Sequence, residues 1–409
     1  MTTNCKSPHK ILNSNFLPSE SSYMPPEVLT QILVNLPAKS LVRFRCVCKY
    51  WCSIIADPYF VSMHIKYSRV NCDKDKKLLV LKNSVSILSN REKRCSLTVV
   101  QANTLEKTRI FKKTGAAHGY FVLGRCNGLL LVVQRCGPLH QKELRLWNPS
   151  IRKSLVIPKT PLPPNLLDTA MYIFGFAPDT NDYKVVAMKY GKGEGDETTK
   201  MHVAVFTLSD QQWTVRNNGF NIEFSYYEGL LRGYHNMYKS NAIYFQGKAH
   251  WLGKDQSSGP SIEPTKSTHL VSFDFDTEKF TCSELPFALY KKDPLNILFL
   301  LGESLAIFSI FNRSSGVWVL EKEEWTIWFS SKDGYIVFSP YAFPWNNVFY
   351  CESDGGDRLI CGNCSYNIVT RHVQKVNESK DDSSIELEMY SESLVLLKGY
   401  GAKDLMSFP

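Results

Sequence analysis

Hydrophobic positions change their period once along the chain, near residue 70. Between residues 25 and 58 they recur at three- and four-residue steps, first at Val28, Leu29, Ile32, Leu33 and Leu36 and then at Leu41, Phe44, Cys48, Trp51 and Ile55. Pro37 interrupts the period, and we expect Asp57-Pro58 to end it, because a residue before proline disfavours the helical conformation. The pattern predicts two or three short helices, too small a unit to be stable without a partner or the rest of the chain.

After residue 70 the hydrophobic period becomes two, which is typical of strands. Strand-like runs occupy residues 77–81, 129–133, 184–188, 249–252, 305–310 and 348–351, with turn-rich stretches at 161–165, 191–197 and 257–264. The predicted fold class is therefore all-β with a small α-helical N-terminal module. The predicted divisions are a flexible tail (1–22), the helical module (23–65), a basic junction with the first β-hairpins (66–113), the main β-domain (114–400) and a C-terminal tail (401–409).

The β-region contains a diffuse repeat, in which an aromatic residue is followed seven positions later by a second, usually apolar, residue. The pairs are Phe206/Trp213, Phe273/Phe280, Trp318/Trp325, Tyr366/Val373 and, less perfectly, Trp147/Ser154 with Leu155 next. We interpret each copy as a hairpin whose four-residue turn brings Phe275 opposite Phe280, Leu208 opposite Trp213 and Leu320 opposite Trp325.

The spacing of the repeat indicates the architecture. The first aromatic residues of the copies are 59, 67, 45 and 48 positions apart, close to the length of a propeller blade with loop insertions. Five copies and a divergent blade within 75–125 predict a β-propeller-like domain of about six irregular blades. Residues 393–397 would pair with the first blade to close the ring. The irregular spacing leaves a twisted sandwich open as the alternative.

Charge and cysteine content narrow the classes of function. The net charge is +9, and residues 66–113 alone hold 13 Lys and Arg against 4 Asp and Glu. These charges alternate with strand-like runs and accompany no nucleic-acid motif, which favours a solvated face over nucleic-acid binding. The polar first 20 residues lack the apolar core of a signal peptide, and the apolar run at 295–311 is interrupted at 302–304. With 12 cysteines, these features predict a reduced protein of the cytoplasm or the nucleus, without a membrane span.

Candidate chemical motifs are weak. The Cys-Gly-Asn-Cys sequence at 361–364 lies between strand-like flanks, which favours a hairpin turn over a redox pair. A zinc site that would combine Cys351, Cys361, Cys364 and His372 lacks a second CxxC. The glycines at 191, 193 and 195 lack the strand-and-helix context of a phosphate loop. We therefore expect no catalytic residue, no metal and no cofactor in this chain.

Residues 24–51, which read MPPEVLTQILVNLPAKSLVRFRCVCKYW, resemble the plant F-box, with Met24 in place of its usual leucine. The resemblance continues through Asp57-Pro58 to Phe60 and covers about 40 residues. It implies docking onto a Skp-type adaptor and, through it, onto a cullin and a RING subunit. The residues that the resemblance assigns to this contact are Pro25, Glu27, Ile32, Leu36, Pro37, Leu41, Val47, Cys48 and Trp51.

The β-region resembles the F-box-associated domain of plants. The resemblance depends on Cys-Asn-Gly-Leu-Leu at 126–130, Leu-Trp-Asn-Pro at 146–149, Phe-Gly-Phe at 174–176 and Asn-Asp-Tyr-Lys-Val-Val at 181–186. Three segments, at 36–44, 147–153 and 390–397, are similar to S-locus F-box proteins of the rose family and their linked relatives. That similarity implies a pistil S-ribonuclease as the target, although related proteins with other roles share the segments.

Together these features predict the substrate-recognition subunit of a ubiquitin ligase, itself non-catalytic. The alternative is a propeller that binds proteins outside ubiquitin ligation. We expect target binding through blade loops, most of all through an aromatic segment of the residue types enriched in interface hot spots. This segment contains Phe220, Phe224, Tyr226, Tyr227, Arg232, Tyr234 and Tyr238. A pair of blade strands with buried aromatic rings would explain the same segment.

Overall fold

The computed structural model describes residues 24–71, 77–85, 93–101, 107–115, 120–136, 141–163, 170–191, 200–216, 222–223, 242–255, 268–290, 295–301, 304–311, 314–331, 348–351, 358–361, 364–367, 373–375, 383–395 and 403–404. Its first part is a helical module, residues 24–71, of four helices. They are α1 (Pro26–Val34), α2 (Ala38–Phe44), α3 (Lys49–Ile55) and α4 (Pro58–Asn71). The predicted short helices are confirmed, and a longer fourth helix follows them.

Asp57-Pro58 ends the helical stretch that contains α3, as predicted, but it also begins a further helix that the sequence pattern did not predict. The Asp57 carboxylate accepts hydrogen bonds from the backbone amides of Tyr59 at 2.8 Å and Phe60 at 3.4 Å. Pro58 occupies the first helical turn, where its missing amide hydrogen costs nothing. Aspartate before proline is therefore a helix start here, and α4 continues through residue 65 to Asn71.

The described strands form six antiparallel sheets. Sheet 1 contains β1 (Lys77–Val85), β2 (Lys93–Gln101) and β3 (Lys107–Gly115). Sheet 2 contains β4 (Tyr120–Cys126), β5 (Leu129–Cys136), β6 (Gln141–Asn148) and β7 (Lys153–Val156). Sheet 3 contains β8 (Met171–Ala177), β9 (Asp182–Gly191), β10 (Lys200–Thr207) and β11 (Gln212–Arg216).

The next three sheets follow in chain order. Sheet 4 contains β12 (Ile222–Glu223), β13 (Ile243–Phe245), β14 (Lys248–Asp255), β15 (His269–Asp274) and β16 (Phe280–Glu284), followed by a short 3₁₀ helix (Phe287–Leu289). Sheet 5 contains β17 (Leu295–Leu301), β18 (Ser304–Phe311), β19 (Ser314–Glu321) and β20 (Glu324–Ser331). Sheet 6 contains β21 (Val348–Cys351), β22 (Arg358–Cys361), β23 (Cys364–Asn367) and β24 (Val373–Lys375). In β22 and β23, Cys361 pairs with Cys364, as the hairpin interpretation of the CxxC predicted.

The sheets are arranged as propeller blades. Inner strands contact one another from blade to blade: β4 contacts β8, β8 contacts β14, β13 contacts β17, and β17 contacts β21. Strand β25 (Ser383–Met389) adds to the first blade beside β1, while β26 (Lys403–Asp404) adds to the second blade beside β7. The blade prediction is confirmed, but ring closure uses β25 and not residues 393–397. Residues 390–395 are instead a non-strand segment, which we call the C-terminal strap.

The two residues that the seven-residue spacing joins are paired directly, on the third and fourth strands of a blade. Phe206 pairs with Trp213, Phe273 with Phe280, Tyr366 with Val373 and Trp147 with Ser154. The predicted partners Phe275/Phe280 and Leu208/Trp213 were therefore wrong by two residues along the strand. Blade 5 differs, because a two-residue turn there pairs Leu320 with Trp325, as predicted.

A backbone feature explains this register. The last residue of the turn lies in the left-handed region at Arg152, Asn181, Gln211 and Glu278, with φ between 51° and 55°. Each of these residues stands five positions after an aromatic residue and two before its cross-strand partner. A further copy, Phe176 with Tyr183, is second along the chain and joins β8 to β9. The repeat is therefore a turn conformation as much as an aromatic pair.

Candidate functional site

Exposed apolar side chains are concentrated on the helical module. Eleven large hydrophobic residues are exposed within the described part of the chain, and six of them belong to the module. These six are Met24, Val28, Ile32, Val47, Tyr50 and Tyr59. Since contiguous exposed apolar surface marks interaction sites on globular proteins, the outer side of the module is the candidate protein-docking surface.

Helix α1 divides its apolar residues between two faces. Leu29, Leu33 and Val34 are buried against the rest of the molecule, whereas Val28 and Ile32 are 46% and 45% exposed. The exposed pair is four positions apart and therefore lies on one side of the helix. With Glu27, Gln31 and Asn35 this pair lines a shallow depression of about 370 Å³. An apolar floor with a polar rim is suited to receiving a protein surface.

The structure places the nine predicted contact residues in three environments. Pro25, Glu27, Ile32, Pro37, Val47 and Cys48 are exposed, Leu36 and Trp51 are half-buried, and Leu41 is fully buried. In the described chain Leu41 therefore holds α2 against the core. Sequence reasoning left four exposed residues out of the predicted set: Met24, Val28, Tyr50 and Tyr59. For Val28, the four-residue step to Ile32 was the available signal.

Helices α2 and α3 are held together by a cap and an aromatic pair. The backbone amide of Trp51 donates to the Cys48 thiol sulfur at 3.4 Å, so Cys48 caps the first turn of α3. The Trp51 ring meets Phe44 of α2 edge-on, with centroids 5.5 Å apart. Trp51 therefore positions α2 and α3 relative to each other.

The module and the propeller share one hydrophobic core. A single cluster contains Leu33 and Leu41 from the helices, Leu129 and Leu131 from the second blade, and Leu394 from the C-terminal strap. His64 of α4 is 1% exposed, and one of its ring nitrogens lies 3.0 Å from the Leu36 carbonyl oxygen. Burial lowers the pKa of His64, although the Leu36 hydrogen bond and the nearby Glu392 charge oppose that effect. The helices are thus packed on the propeller.

The C-terminal strap is fixed to the second blade by buried polar contacts. The Asn148 side-chain amide donates to the carbonyls of Ser393 and Val395, both at 2.9 Å. The Ser150 hydroxyl lies 2.6 Å from the Tyr390 hydroxyl and accepts from the Ser393 amide at 3.0 Å. Asn148 and Ser393 are fully buried, so these bonds are screened from water.

The Cys-Asn-Gly-Leu-Leu sequence has a structural role at the same place. Asn127 and Gly128 form the turn between β4 and β5, with φ of 50° and 75°. A Cβ on Gly128 would lie 2.4 Å from the Ser391 carbonyl oxygen and 2.7 Å from the Ser393 Cβ. Glycine is required there both by the backbone conformation and by the close approach of the strap.

Glu392 connects the strap to the helices. Its carboxylate accepts a hydrogen bond from the Ala38 backbone amide at 2.7 Å, across 354 positions of sequence. Ala38 is the first residue of α2, whose N-cap, Pro37, provides no side-chain acceptor. The start of α2 is therefore capped from the other end of the protein.

The Phe-Gly-Phe and Asn-Asp-Tyr-Lys sequences pack blade 3 on blade 4. A Cβ on Gly175 would lie 2.1 Å from the Phe275 ring, which is fully buried. Lys184 donates to the Phe275 carbonyl at 2.8 Å and to Glu278 at 2.9 Å, and Arg216 contacts Glu278 at 2.5 Å. Burial tends to raise the pKa of Glu278, but hydrogen bonds from Arg216 and Lys184 outweigh it and lower that pKa.

One expectation falls on residues that the structure does not describe, and two others concern metal ligands and membrane-spanning helices. The aromatic segment predicted to bind a target, from Phe220 to Tyr238, lies outside the described residues except for the short strand β12. Within the described ranges, His, Cys, Asp and Glu side chains form no group of three that could hold a metal ion. No described helix has both the length and the apolar character needed to cross a bilayer.

Two family models match this chain. The "F-box-like" model matches residues 22–64, and the "F-box associated beta propeller domain" matches residues 77–395, which is more than half of the chain. Together the two matches include the docking surface, the blades and the C-terminal strap.

Individual relatives come from Arabidopsis thaliana. An F-box/kelch-repeat protein is 26% identical over 268 residues, which is 64% of this chain and 65% of the relative. A chain named as an F-box protein is 24% identical over 348 residues, 82% of this chain and 74% of the relative. Among solved structures, TolB from Acinetobacter baumannii is 12% identical, and the match includes 81% of this chain and 70% of TolB at a TM-score of 0.39. The helices, the blades and the family matches agree: the chain belongs to the plant F-box proteins that carry an F-box associated beta propeller domain.

Proposed function

We propose that this chain is the substrate-recognition subunit of a Skp–cullin–F-box ubiquitin ligase. Its F-box helices dock a Skp-type adaptor, which connects it to the cullin and RING subunits, and its propeller holds a protein target. The observation that carries the proposal is the exposed apolar face of the helical module, where Val28 and Ile32 lie beside a shallow depression. Covering such a face with a partner removes apolar surface from water, which favours formation of the complex.

The role we assign is proximity and not catalysis. Ubiquitin transfer would take place on the RING subunit, and this chain would raise the local concentration of a target lysine near the charged carrier. That role needs no metal, cofactor or nucleic acid. It does need a fixed geometry between the two binding surfaces, and the shared core that contains Leu33, Leu131 and Leu394 supports such a geometry.

The identity of the target is a finer question. Similarity to S-locus F-box proteins favours a pistil S-ribonuclease, and the segments at 36–44, 147–153 and 390–397 are its support. All three segments meet where α2, the second blade and the C-terminal strap are in contact, through Ala38, Asn148 and Glu392. Residues in such a contact serve the architecture, so similarity there is weak support for a shared target. Target contact through Phe220, Arg232 and the aromatic residues around them stays a prediction.

Exposed positions are better suited than half-buried ones to a test of docking. Leu36 and Trp51 pack against the core, so their substitution would disturb folding as well as docking. Ile32 is 45% exposed on the module, and Ile327 is 58% exposed on the propeller. Ile32→Asp and Ile327→Asp therefore make the same chemical change on the two surfaces.

Affinity capture from plant cells with the proteasome inhibited, followed by mass spectrometry, tests the proposal. The unmodified chain and Ile327→Asp should recover a Skp-type adaptor and a cullin, and Ile32→Asp should lose at least about tenfold of both. A stabilised target should accompany all three chains. Recovery of no adaptor or cullin with the unmodified chain would refute ligase membership and favour a protein-binding module outside ubiquitin ligation.

A further inference from the structure

We propose that Glu392 is a positioning residue that sets the orientation of the F-box helices on the propeller. The inference deepens the proposed function and rests on it, because the angle between adaptor and target matters only in a ligase. It concerns a single carboxylate in the C-terminal strap, the non-strand segment that follows β25.

Without this carboxylate, the start of α2 would lack a side-chain hydrogen-bond acceptor. The helix follows Pro37, has no acidic residue in its first turn and has no cap from its own N-cap side chain. Its first residue, Ala38, is fully buried. A buried backbone amide without an acceptor is unfavourable, and the start of a helix favours a negative charge. Glu392 meets both requirements with one hydrogen bond of 2.7 Å.

The backbone that carries Glu392 is held by hydrogen bonds on both sides of this residue. On one side, Tyr390 is 5% exposed and its hydroxyl lies 2.6 Å from that of Ser150. On the other, the carbonyls of Ser393 and Val395 each accept from Asn148. Since the strap is held on both sides of Glu392, the bond to Ala38 fixes α2 relative to the second blade.

The F-box helices are connected to the propeller at two places that are distant in sequence. Helix α4 precedes β1, and the strap follows β25, which pairs with β1 at ring closure. The shared core packs the helices on the propeller, but apolar contacts are non-directional. The hydrogen bond from Ala38 to Glu392 adds a directional contact at the start of α2 and restricts rotation of the module. Glu392 thus connects the closing of the propeller ring to the orientation of the docking helices.

The test is a distance measurement in the full chain. Donor and acceptor dyes on genetically encoded azide residues at Lys39 of α2 and Lys279 of the propeller, both exposed, avoid the 12 cysteines. The variants are Glu392→Ala, which removes the acceptor, and Glu392→Gln, whose amide oxygen restores one. Glu284→Ala is the matched control, because Glu284 is exposed and accepts only the exposed Tyr290 hydroxyl among its described hydrogen bonds.

Glu392→Ala should broaden the distance distribution and speed hydrogen exchange at the Ala38 amide about fivefold, the usual effect of losing a cap. Glu392→Gln and the control should keep the narrow distribution. An unchanged distribution in Glu392→Ala, or one broadened equally in Glu284→Ala, would overturn the inference. So would a matching loss of propeller stability in thermal unfolding, which would assign Glu392 to folding alone. Adaptor affinity of the unmodified chain, measured separately, tests the proposed function independently of these outcomes.

Discussion

At the scale of single residues, Glu278 joins two blades through ionic contacts. Lys184, whose side chain is 8% exposed, keeps only the Phe275 carbonyl as a described acceptor once Glu278 is removed. Arg216 is 40% exposed and stays solvated, so it adds little. The buried ammonium therefore accounts for most of the expected loss.

We expect Glu278→Ala to lower the free energy of unfolding by about 3 kcal/mol, the usual cost of breaking a buried ion pair. Urea denaturation of the full chain measures it. The control, Glu284→Ala, removes an exposed carboxylate of the same blade and should cost less than about 0.5 kcal/mol. Equal losses in both variants would show that Lys184 finds another partner.

His250 makes stability depend on pH. Burial, with the Lys248 charge adding to it, lowers the pKa of this ring to about 4, against the opposing hydrogen bond to the Phe245 backbone. The ring is 9% exposed, and its Nδ1 lies 2.7 Å from the Ser272 hydroxyl. The unfolded chain therefore binds a proton at this ring more readily than the folded one, so stability falls as pH drops.

The expected window runs from pH 6.5, the ordinary value, down to about 4. Over that window His250 should account for about 3 kcal/mol of lost stability. Urea denaturation at pH 7.5, 6, 5 and 4.5 should show a shallower decline for His250→Gln than for the unmodified chain. Parallel curves for the two chains would contradict the assignment to His250.

At the scale of elements, the C-terminal strap depends on Asn148. This side chain is fully buried, donates to two strap carbonyls and accepts from the Ser150 amide at 3.0 Å. Asn148→Asp keeps the shape but replaces the donors with an oxygen that faces two carbonyl oxygens. An uncompensated buried charge of this kind is strongly unfavourable.

We expect Asn148→Asp to release the strap at neutral pH and to destabilise the chain by about 3 kcal/mol or more. Hydrogen exchange over residues 390–395 should rise, and trypsin should cut more quickly after Lys398, the first basic residue that follows the strap. The same substitution at Asn181, an exposed turn residue with φ of 51°, is the control, because aspartate also tolerates that conformation. Unchanged protection of the strap would contradict the role of Asn148.

The number of blades could be predicted from the sequence, but the pairing of residues between strands could not. The strand runs and the aromatic repeat were sufficient for about six blades, because periods of two and of 45–67 residues are local signals. Cross-strand partners were wrong at Phe275 and Leu208, since left-handed backbone at Glu278 and Gln211 accompanies a longer turn, which moves each pairing by two residues. Those residue types seldom adopt that conformation, so composition gave no signal for it.

At the scale of the whole molecule, contacts between distant segments were beyond sequence reasoning. Nothing local predicts that Glu392 caps α2, or that Asn148 fixes residues 393–395 in place of a closing strand. The strap's residues suggested β-structure, but ring closure by β25 leaves them free to reach the helices. Of the adaptor contacts that the F-box resemblance assigns, Ile32 and Val47 are exposed, whereas Leu41 is in the core.

The central claim is that the exposed face of the helical module docks a Skp-type adaptor. Isothermal titration calorimetry of the purified full chain with a purified Skp-type adaptor tests it most directly, with thermal unfolding confirming that each variant is folded. The account predicts one-to-one binding that Ile32→Asp weakens at least about tenfold and Ile327→Asp leaves unchanged. Absence of binding by the unmodified chain, or equal affinity for Ile32→Asp, would contradict it.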